Sequence, residues 1–263
     1  MAKVEVLVAC MHQKDDKLYG EMNLKSDVVL ANQCDEYRYD EYVQNDGSVV
    51  KLVSSFDRGV GKNRNKALMY ATGDYLLFSD EDLVYVDNYI QLIHDAYNTF
   101  PDADIIIFDL KYQGKPLRGR KKCTKAKRLH LWNAMRYGAA RIVVKKSAVE
   151  KYNLGFSYMY GGGARYSCGE DSLFIREAIG KGAKIYLYPE TIAMVKDGES
   201  TWFKGYNDKY FIDKGVLLAN AFPTFWPIAI LYFTFGLRNV SKDYGIYDIY
   251  KLIRKGCKEY KNI

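Results

Sequence analysis

Three acids follow one another in Ser79-Asp80-Glu81-Asp82, directly after the apolar run Tyr75-Leu76-Leu77-Phe78. The run reads as a buried strand. Carboxylates at its end cannot be buried without a cation, because each unpaired buried charge costs several kcal/mol. Asp80 and Asp82 are two positions apart, which in an extended chain puts them on one side and Glu81 on the other. Two hard oxygen ligands on one side suit Mg2+ or Mn2+ that shares its shell with substrate phosphates. A solvated acidic turn is the competing reading. A second acidic pair, Glu170-Asp171, follows Gly169 and opens a helical pattern over residues 173–179. The helix dipole favours acids in a first turn, so capping alone would account for them. The preceding Gly161-Gly162-Gly163 is not needed by a cap and permits close backbone approach to a ligand. On the basic side, Gly61-Lys62-Asn63-Arg64-Asn65 stands at the start of a helix that continues through residues 67–70. Cations there oppose the dipole, and a bound phosphate would resolve the conflict. An ordinary exposed helix start is the alternative.

The elements that must position these residues come from patterning. Apolar runs over residues 4–10, 27–31, 49–54, 74–78, 103–110, 139–145 and 183–188 predict strands, with a further extended piece over 189–195. Apolar residues at helical spacing predict helices over 89–99 and 147–152. Strands that alternate with helices define an α/β protein with an open, mostly parallel sheet flanked by helices. Such sheets bind ligands beyond the C-terminal ends of their strands, where Asp80 and Asp82 fall.

With 263 residues, 48% hydrophobic and 15% aromatic, the chain has the composition of a folded domain carrying an appendage. Its five cysteines are scattered, without metal-ligand spacing, which predicts free thiols in a reducing compartment. No signal-peptide pattern opens the sequence, so the expected location is cytoplasmic. The net charge of +7 favours anionic partners. Much of it lies in residues 112–128, which read as a loop able to grip an anionic acceptor or lipid headgroups, or as a solvated charge run. Nucleic acid is not the expected partner: Trp132 and Tyr137 lie outside the basic run and no recognition motif frames it.

Residues 215–236 carry no charge. A straight helix of that length would span roughly 30 Å, about a bilayer core, but Pro223 and Pro227 should break it. With Trp226, Tyr232 and several Phe, the segment is expected to dock in the plane of a membrane. A subunit contact in a homo-oligomer, core packing and true spanning are the alternatives. The Lys-rich tail, residues 237–263, could lie on anionic lipid as an amphipathic helix. The expected division is 1–212 for the catalytic domain and 213–263 for a hydrophobic and basic helical C-terminal appendage. Location on the inner face of the cell membrane follows from the same residues.

The first strand from Val4, the Arg64-Asn65 helix start, Ala71-Thr72-Gly73-Asp74-Tyr75 leading to Asp80-Glu81-Asp82, and Gly169-Glu170-Asp171 stand in this order. Together they resemble family-2 glycosyltransferases with the GT-A fold, over roughly residues 3–210. The resemblance implies a nucleotide-sugar donor, Mn2+ or Mg2+, a glycan or polyprenyl-linked acceptor, and inversion at the anomeric carbon. It implies that Asp80 and Asp82 hold the metal and the donor diphosphate, that Arg64 organises the acid cluster or the diphosphate, with Asn65 beside it, and that Asp171, paired with Glu170, is the general base. Such enzymes commonly carry Asp-Gly-Ser after the second strand. Here Asn32-Gln33 stands there, so Asn32 and Gln33, with Cys10 at the end of the first strand, are the candidates for nucleoside contacts. Many also use a His after the last strand. This chain has only His12, His94 and His130, and Lys196 or the Ser200-Thr201-Trp202 segment is the substitute for contacting the diphosphate. The Ser-Thr-Trp-Phe-x-Gly-Tyr run is similar to bacterial surface-polysaccharide members.

Two rivals are weaker. A sugar nucleotidyltransferase would want a glycine-rich phosphate loop after the first strand, where Cys10-Met11-His12-Gln13 has no glycine. A non-catalytic membrane-associated binding protein would rest only on the basic run and the hydrophobic tail.

Overall fold

Alternation at a period of two sorts the first strand, β1 (Val4–Met11), onto two faces. Val4, Val6 and Val8 enter one core and Leu7 the other. Cover on both faces is what near-continuous apolar strands require. Glu5 is the exception in β1, and its buried carboxylate accepts from the Thr72 and Gly73 amides at 2.5 and 2.7 Å and pairs with Lys51. The structure is a computed structural model that describes residues 1–113, 125–196, 205–240 and 243–260, with the Trp132 side chain left aside.

After β1 come α1 (Leu18–Glu21), β2 (Asp27–Gln33), β3 (Arg38–Val43), β4 (Val49–Ser55) and α2 (Val60–Tyr70). β5 (Tyr75–Asp80), β6 (Leu83–Tyr85), α3 (Tyr89–Thr99), β7 (Ile105–Tyr112) and the two-residue β8 (Lys127–Arg128) follow. The chain continues through β9 (Ile142–Lys145), α4 (Lys146–Lys151), α5 (Glu170–Gly180) and β10 (Ile185–Val195), and ends in α6 (Asp208–Ala221), α7 (Trp226–Leu237) and α8 (Ile246–Tyr260). Among the described residues one sheet runs β3-β4-β2-β1-β5-β9-β7-β10-β6, with β8 against β10. β4, β2, β1 and β5 are mutually parallel, as are β7 and β10, while β3, β6 and β9 run against their neighbours. α1 and α3 cover one face; α2, α4 and α5 cover the other.

Three local expectations change. β3 was not predicted: Arg38, Asp40 and Glu41 leave it no apolar run, and it is an edge strand with no fully buried position. The two extended pieces around Pro189 are one strand, β10, whose register shifts between Leu187 and Ala193. The strand expected from residue 139 begins at Ile142, after a single 3-10 turn, Ala139–Arg141.

The appendage is a helical trio that begins at Asp208, earlier than the expected boundary. The uncharged stretch is broken at Phe222–Phe225: α6 ends at Ala221, and Pro227 sits in the first turn of α7, where its missing N–H costs nothing. α8 packs onto α6 and α7. Its Ile249, Ile253 and Cys257 are buried in a cluster with Phe211 and Leu218 of α6 and Ile230 of α7. Gly215 and Gly256 bring α6 and α8 to backbone contact. A Cβ on Gly215 would lie 1.9 Å from the Ile253 carbonyl oxygen, and one on Gly256 would lie 1.9 Å from that of Ile212.

Candidate active site

Arg64 ties the acids together. It rises from the second turn of α2 into the interior, 4% exposed, between the end of β5 and the start of α5. Nη2 donates to Asp80 Oδ1 and Nη1 to Glu170 Oε1, each at 2.9 Å. A fork with two donors suits this bridge, whereas a lysine ammonium is a point charge. Burial works to lower the Arg64 pKa, but the charges of Asp80 and Glu170 outweigh it and hold the guanidinium protonated. The dipole conflict at the α2 start is thus relieved by the protein's own carboxylates. Lys66 likewise pairs with Asp57 at 2.5 Å.

Glu81 and Asp82 form the turn between β5 and β6, so Asp80 and Asp82 do not share one extended segment. The same-side argument from strand periodicity therefore does not apply. Asp80 closes the strand with its side chain 43% exposed, and Asp82 is exposed in the turn. Glu81 turns away from both, and its Oε2 accepts from Gln13 Nε2 at 2.9 Å and the Met11 amide at 3.3 Å. Burial raises its pKa.

The opposite wall is the N-terminus of α5. Gly169 precedes it at φ 115°, and a Cβ there would lie 2.6 Å from Leu217 of α6. Glycine is needed both for the backbone and for the approach of α6. Gly161, at φ 102°, has Val60 and Glu170 at 2.7 and 2.8 Å from a would-be Cβ, and the Val60 amide donates to the Gly162 carbonyl at 2.9 Å. The glycine run thus closes against α2 and Glu170. Glu170, 9% exposed, is committed to Arg64. Asp171 is only partly covered; its Oδ1 accepts from the Ser172 amide at 2.6 Å and its Oδ2 lies 3.5 Å from a Cβ built on Gly138. Burial, then the charge of Glu170, pushes its pKa up to about 6, against the pull of Arg64 and Lys214. Such a group is ionised near neutral pH yet basic enough to take a proton.

Lys214 of α6 was not singled out from sequence. Burial lowers its pKa, but Cys168, Tyr210 and Asp171 raise it further, so the ammonium is retained. Its Nζ lies 5.8 Å from the centre of the Phe233 ring. Nothing in its local sequence marks it, because Cys168 and Asp171 come from the start of α5 and the residues before it, and Phe233 from α7.

The donor-side candidates divide. Cys10 is 1% exposed, with Sγ donating to the Ala31 carbonyl. Asn32 is fully buried; Oδ1 accepts from the Gln13 amide, and Nδ2 donates to the Gln13 carbonyl and Ser54 Oγ. Gln33 Oε1 accepts from the Gly59 amide at 2.8 Å. Cys10 thus ties β1 to β2, while Asn32 and Gln33 hold the loops after β1 and before α2. Asn65 clamps the Phe156 backbone, donating to its carbonyl and accepting from its amide at 2.8 and 2.7 Å, so it is spent on the 156 loop. Asn63 donates to the Ala31 carbonyl at 2.7 Å and the Cys10 carbonyl at 3.3 Å, pinning α2 under β1 and β2. The Lys196 amide donates to the Asp82 carbonyl at 2.8 Å, which brings the end of β10 to the acidic turn. Trp202, with Ser200 and Thr201, lies outside the described residues, as do residues 114–124 of the basic run.

Among the described residues no group of three or more His, Cys, Asp or Glu side chains is arranged to hold a metal. Asp80 and Asp82 supply hard oxygens, one of them already engaged by Arg64. That suits a divalent cation whose remaining ligands are phosphate oxygens and water, and does not suit an all-protein cage.

Residues 30–156 match the family model described as glycosyl transferase family 2, just under half of the chain. No curated protein shows significant sequence similarity to it. Among solved structures, S. aureus TarS 1-349 in complex with UDP-GlcNAc superposes with a TM-score of 0.62 at 14% identity, over 99% of this chain and 92% of that one. A longer S. aureus TarS structure gives 0.63 at 14% identity over 92% of this chain but only 44% of its own. The mannosyltransferase PcManGT from Pyrobaculum calidifontis, in complex with GDP-Man and Mn2+, gives 0.53 at 13% identity, over 99% and 87%. Residues 30–156 are therefore similar to family-2 glycosyltransferases, and the mixed, mostly parallel sheet with its flanking helices is the GT-A fold that these solved structures share.

Proposed function

We propose that the protein moves a sugar from a nucleotide-diphosphate sugar, a UDP-hexose by preference, to a hydroxyl of a glycan or lipid-linked glycan in polysaccharide synthesis, with inversion. The observation that carries this is the Arg64 bridge. It fixes Asp80, on the leaving-group side, and Glu170, next to Asp171, in one rigid unit. The likeness to TarS, solved with UDP-GlcNAc, and to PcManGT, solved with GDP-Man, supports the donor class.

Asp80 and Asp82 would hold Mn2+ or Mg2+, which when bound neutralises the charge that develops on the departing diphosphate. Asp171 takes the acceptor hydroxyl's proton. The acceptor oxygen forms its bond to the anomeric carbon as the bond from that carbon to the diphosphate oxygen breaks, and the bonding pair leaves with the diphosphate. General-base assistance of this kind is worth roughly 10²–10⁴-fold in rate. A single displacement from the face opposite the leaving group inverts the centre. Glu170 acts through Arg64 as a positioning residue.

The test is metal-dependent turnover. Purified full chain with UDP-hexoses or GDP-mannose and Mn2+ should release the nucleoside diphosphate, and EDTA should stop it. Release of pyrophosphate from a nucleoside triphosphate and a sugar phosphate, with no hydrolysis of any nucleotide sugar, would transfer the assignment to a nucleotidyltransferase.

A further inference from the structure

α7 is apolar all round, but only Ile230 and Thr234 are buried. Phe225 immediately before it, with Ile228, Leu231, Tyr232 and Phe235 on it, are 54–67% exposed. At 3.6 residues per turn these five fall within an arc of about 120°, opposite Ile230 and Thr234. An exposed, contiguous apolar face of this kind marks an interaction site.

Its charge surroundings select the partner. No Asp or Glu occurs between Asp213 and Asp243. Arg136 reaches the face from the 3-10 turn Leu131–Arg136, its Nη2 donating to the Tyr232 hydroxyl at 3.3 Å. The Arg238 guanidinium lies 3.8 Å from the centre of the Phe235 ring at the other end. Lys251, Arg254, Lys255 and Lys258 are exposed on the adjoining α8, against one exposed acid there, Asp248. An apolar face rimmed by cations matches an anionic bilayer, with acyl chains under the rings and headgroups at the guanidinium groups. It matches a second copy of itself poorly, because a twofold contact would set these cations against each other. None of the described helices is long and apolar enough to cross a membrane. At 12 residues α7 is about 18 Å long, which fits a helix lying in the interface plane.

We infer that the face formed by Phe225, Ile228, Leu231, Tyr232 and Phe235, with Arg136 and Arg238 at its rim, docks the protein on an anionic bilayer. The sequence offered the whole uncharged stretch and the Lys-rich tail for this role; the structure confines it to one face of one helix. α6 leads into α7 and packs against the start of α5, so docking holds the Asp171 end of the site at a fixed place relative to the headgroups. On the glycosyltransferase reading, which this step presupposes, the acceptor is then a lipid-linked glycan presented from that surface.

The experiment is co-sedimentation of the full chain with vesicles of phosphatidylglycerol and phosphatidylcholine in equal parts, and with phosphatidylcholine alone. Wild type should bind the anionic vesicles at least tenfold more tightly. The double variant Ile228→Glu, Leu231→Glu should lose at least tenfold of that binding, and Arg238→Ala should lose a smaller part that disappears in high salt. Both variants should keep the wild-type melting temperature and nucleoside-diphosphate binding, since none of these residues is in the core. Wild type that stays in the supernatant overturns the inference. So does a concentration-dependent dimer that the double variant abolishes, which assigns the face to a second copy. Vesicle binding without donor turnover would count against the catalytic reading and leave this one standing; turnover without vesicle binding would do the reverse.

Discussion

Asp171 is asked to be ionised in a place that resists ionisation. Its folded pKa of about 6 lies above an ordinary carboxylate's, so the native state holds a proton that the unfolded chain has lost across pH 4–6. The group therefore contributes stability below that window and loses it as pH rises through about 6. Asp171→Asn should abolish transfer, retain metal-dependent nucleotide binding, and raise the melting temperature at pH 7.5 relative to wild type, by on the order of 1–2 kcal/mol in stability. Wild-type turnover in that variant would remove Asp171 as the base. The acid limb of kcat against pH should fall near 6. Lys214 lowers the Asp171 pKa. Lys214→Met should therefore move that limb to higher pH while leaving the donor KM in place; an unmoved limb would show that the ammonium does not reach the base. Arg64→Lys should cost at least 10²-fold in kcat, because one ammonium cannot serve Asp80 and Glu170 with the spacing of the guanidinium fork. Retention of full activity would show that the bridge is not needed. The residue types of the site were legible because carboxylates at a strand end and a helix start are chemically conspicuous. The bridge was not, since Arg64 and Glu170 lie 106 positions apart and no local pattern records the pairing. The backbone partners of Asn32, Gln33 and Asn65 were hidden for the same reason: the polarity of these side chains shows in sequence, and what they bond to does not.

Among elements, α3 is read correctly end to end because Ile93, Ala96 and Tyr97 bury at helical spacing. β1, β2, β4 and β5 are legible because cover on both faces demands apolar runs. β3 escapes detection because an edge strand can carry Arg38, Asp40 and Glu41 without burying them. The run 215–236 shows where a compositional signal stops: lack of charge says that the segment avoids water or can do without it, and only Pro223 and Pro227 told of the break into two helices. The approach of α6 to α8 makes its own prediction. Gly256→Ala puts a methyl group 1.9 Å from a backbone oxygen, and a backbone cannot step aside as a side chain can. The variant should lose roughly 1–3 kcal/mol by thermal or denaturant melting. Gly180→Ala, at a position with nothing within 4 Å, serves as the control and should be near neutral. Equal losses in both would show that the close approach is not what matters.

For the whole molecule, the parallel strands present their C-terminal ends to one rim, where Arg64 links the end of β5 to the start of α5, which Leu217 of α6 backs. Nothing in strand periodicity predicts that β9 should run backwards between β5 and β7, because reversed direction leaves no trace in an apolar pattern. The general architecture survives this, since burial on both faces requires only that the strand be apolar.

The Arg64 bridge also has a bearing on the order in which the chain is made. Synthesis delivers Arg64 and Asp80 early, 16 positions apart, and they can meet within an N-terminal folding unit. Glu170 follows about ninety residues later, and the helix that carries it is backed by Leu217, which emerges later still. Loop closure over such distances is slow compared with local helix formation. The nascent protein therefore passes through a stage in which Arg64 and Asp80 are in place and Glu170 and Asp171 are not. The Arg64 bridge is complete only when α5 has docked, with Leu217 of α6 behind its first turn.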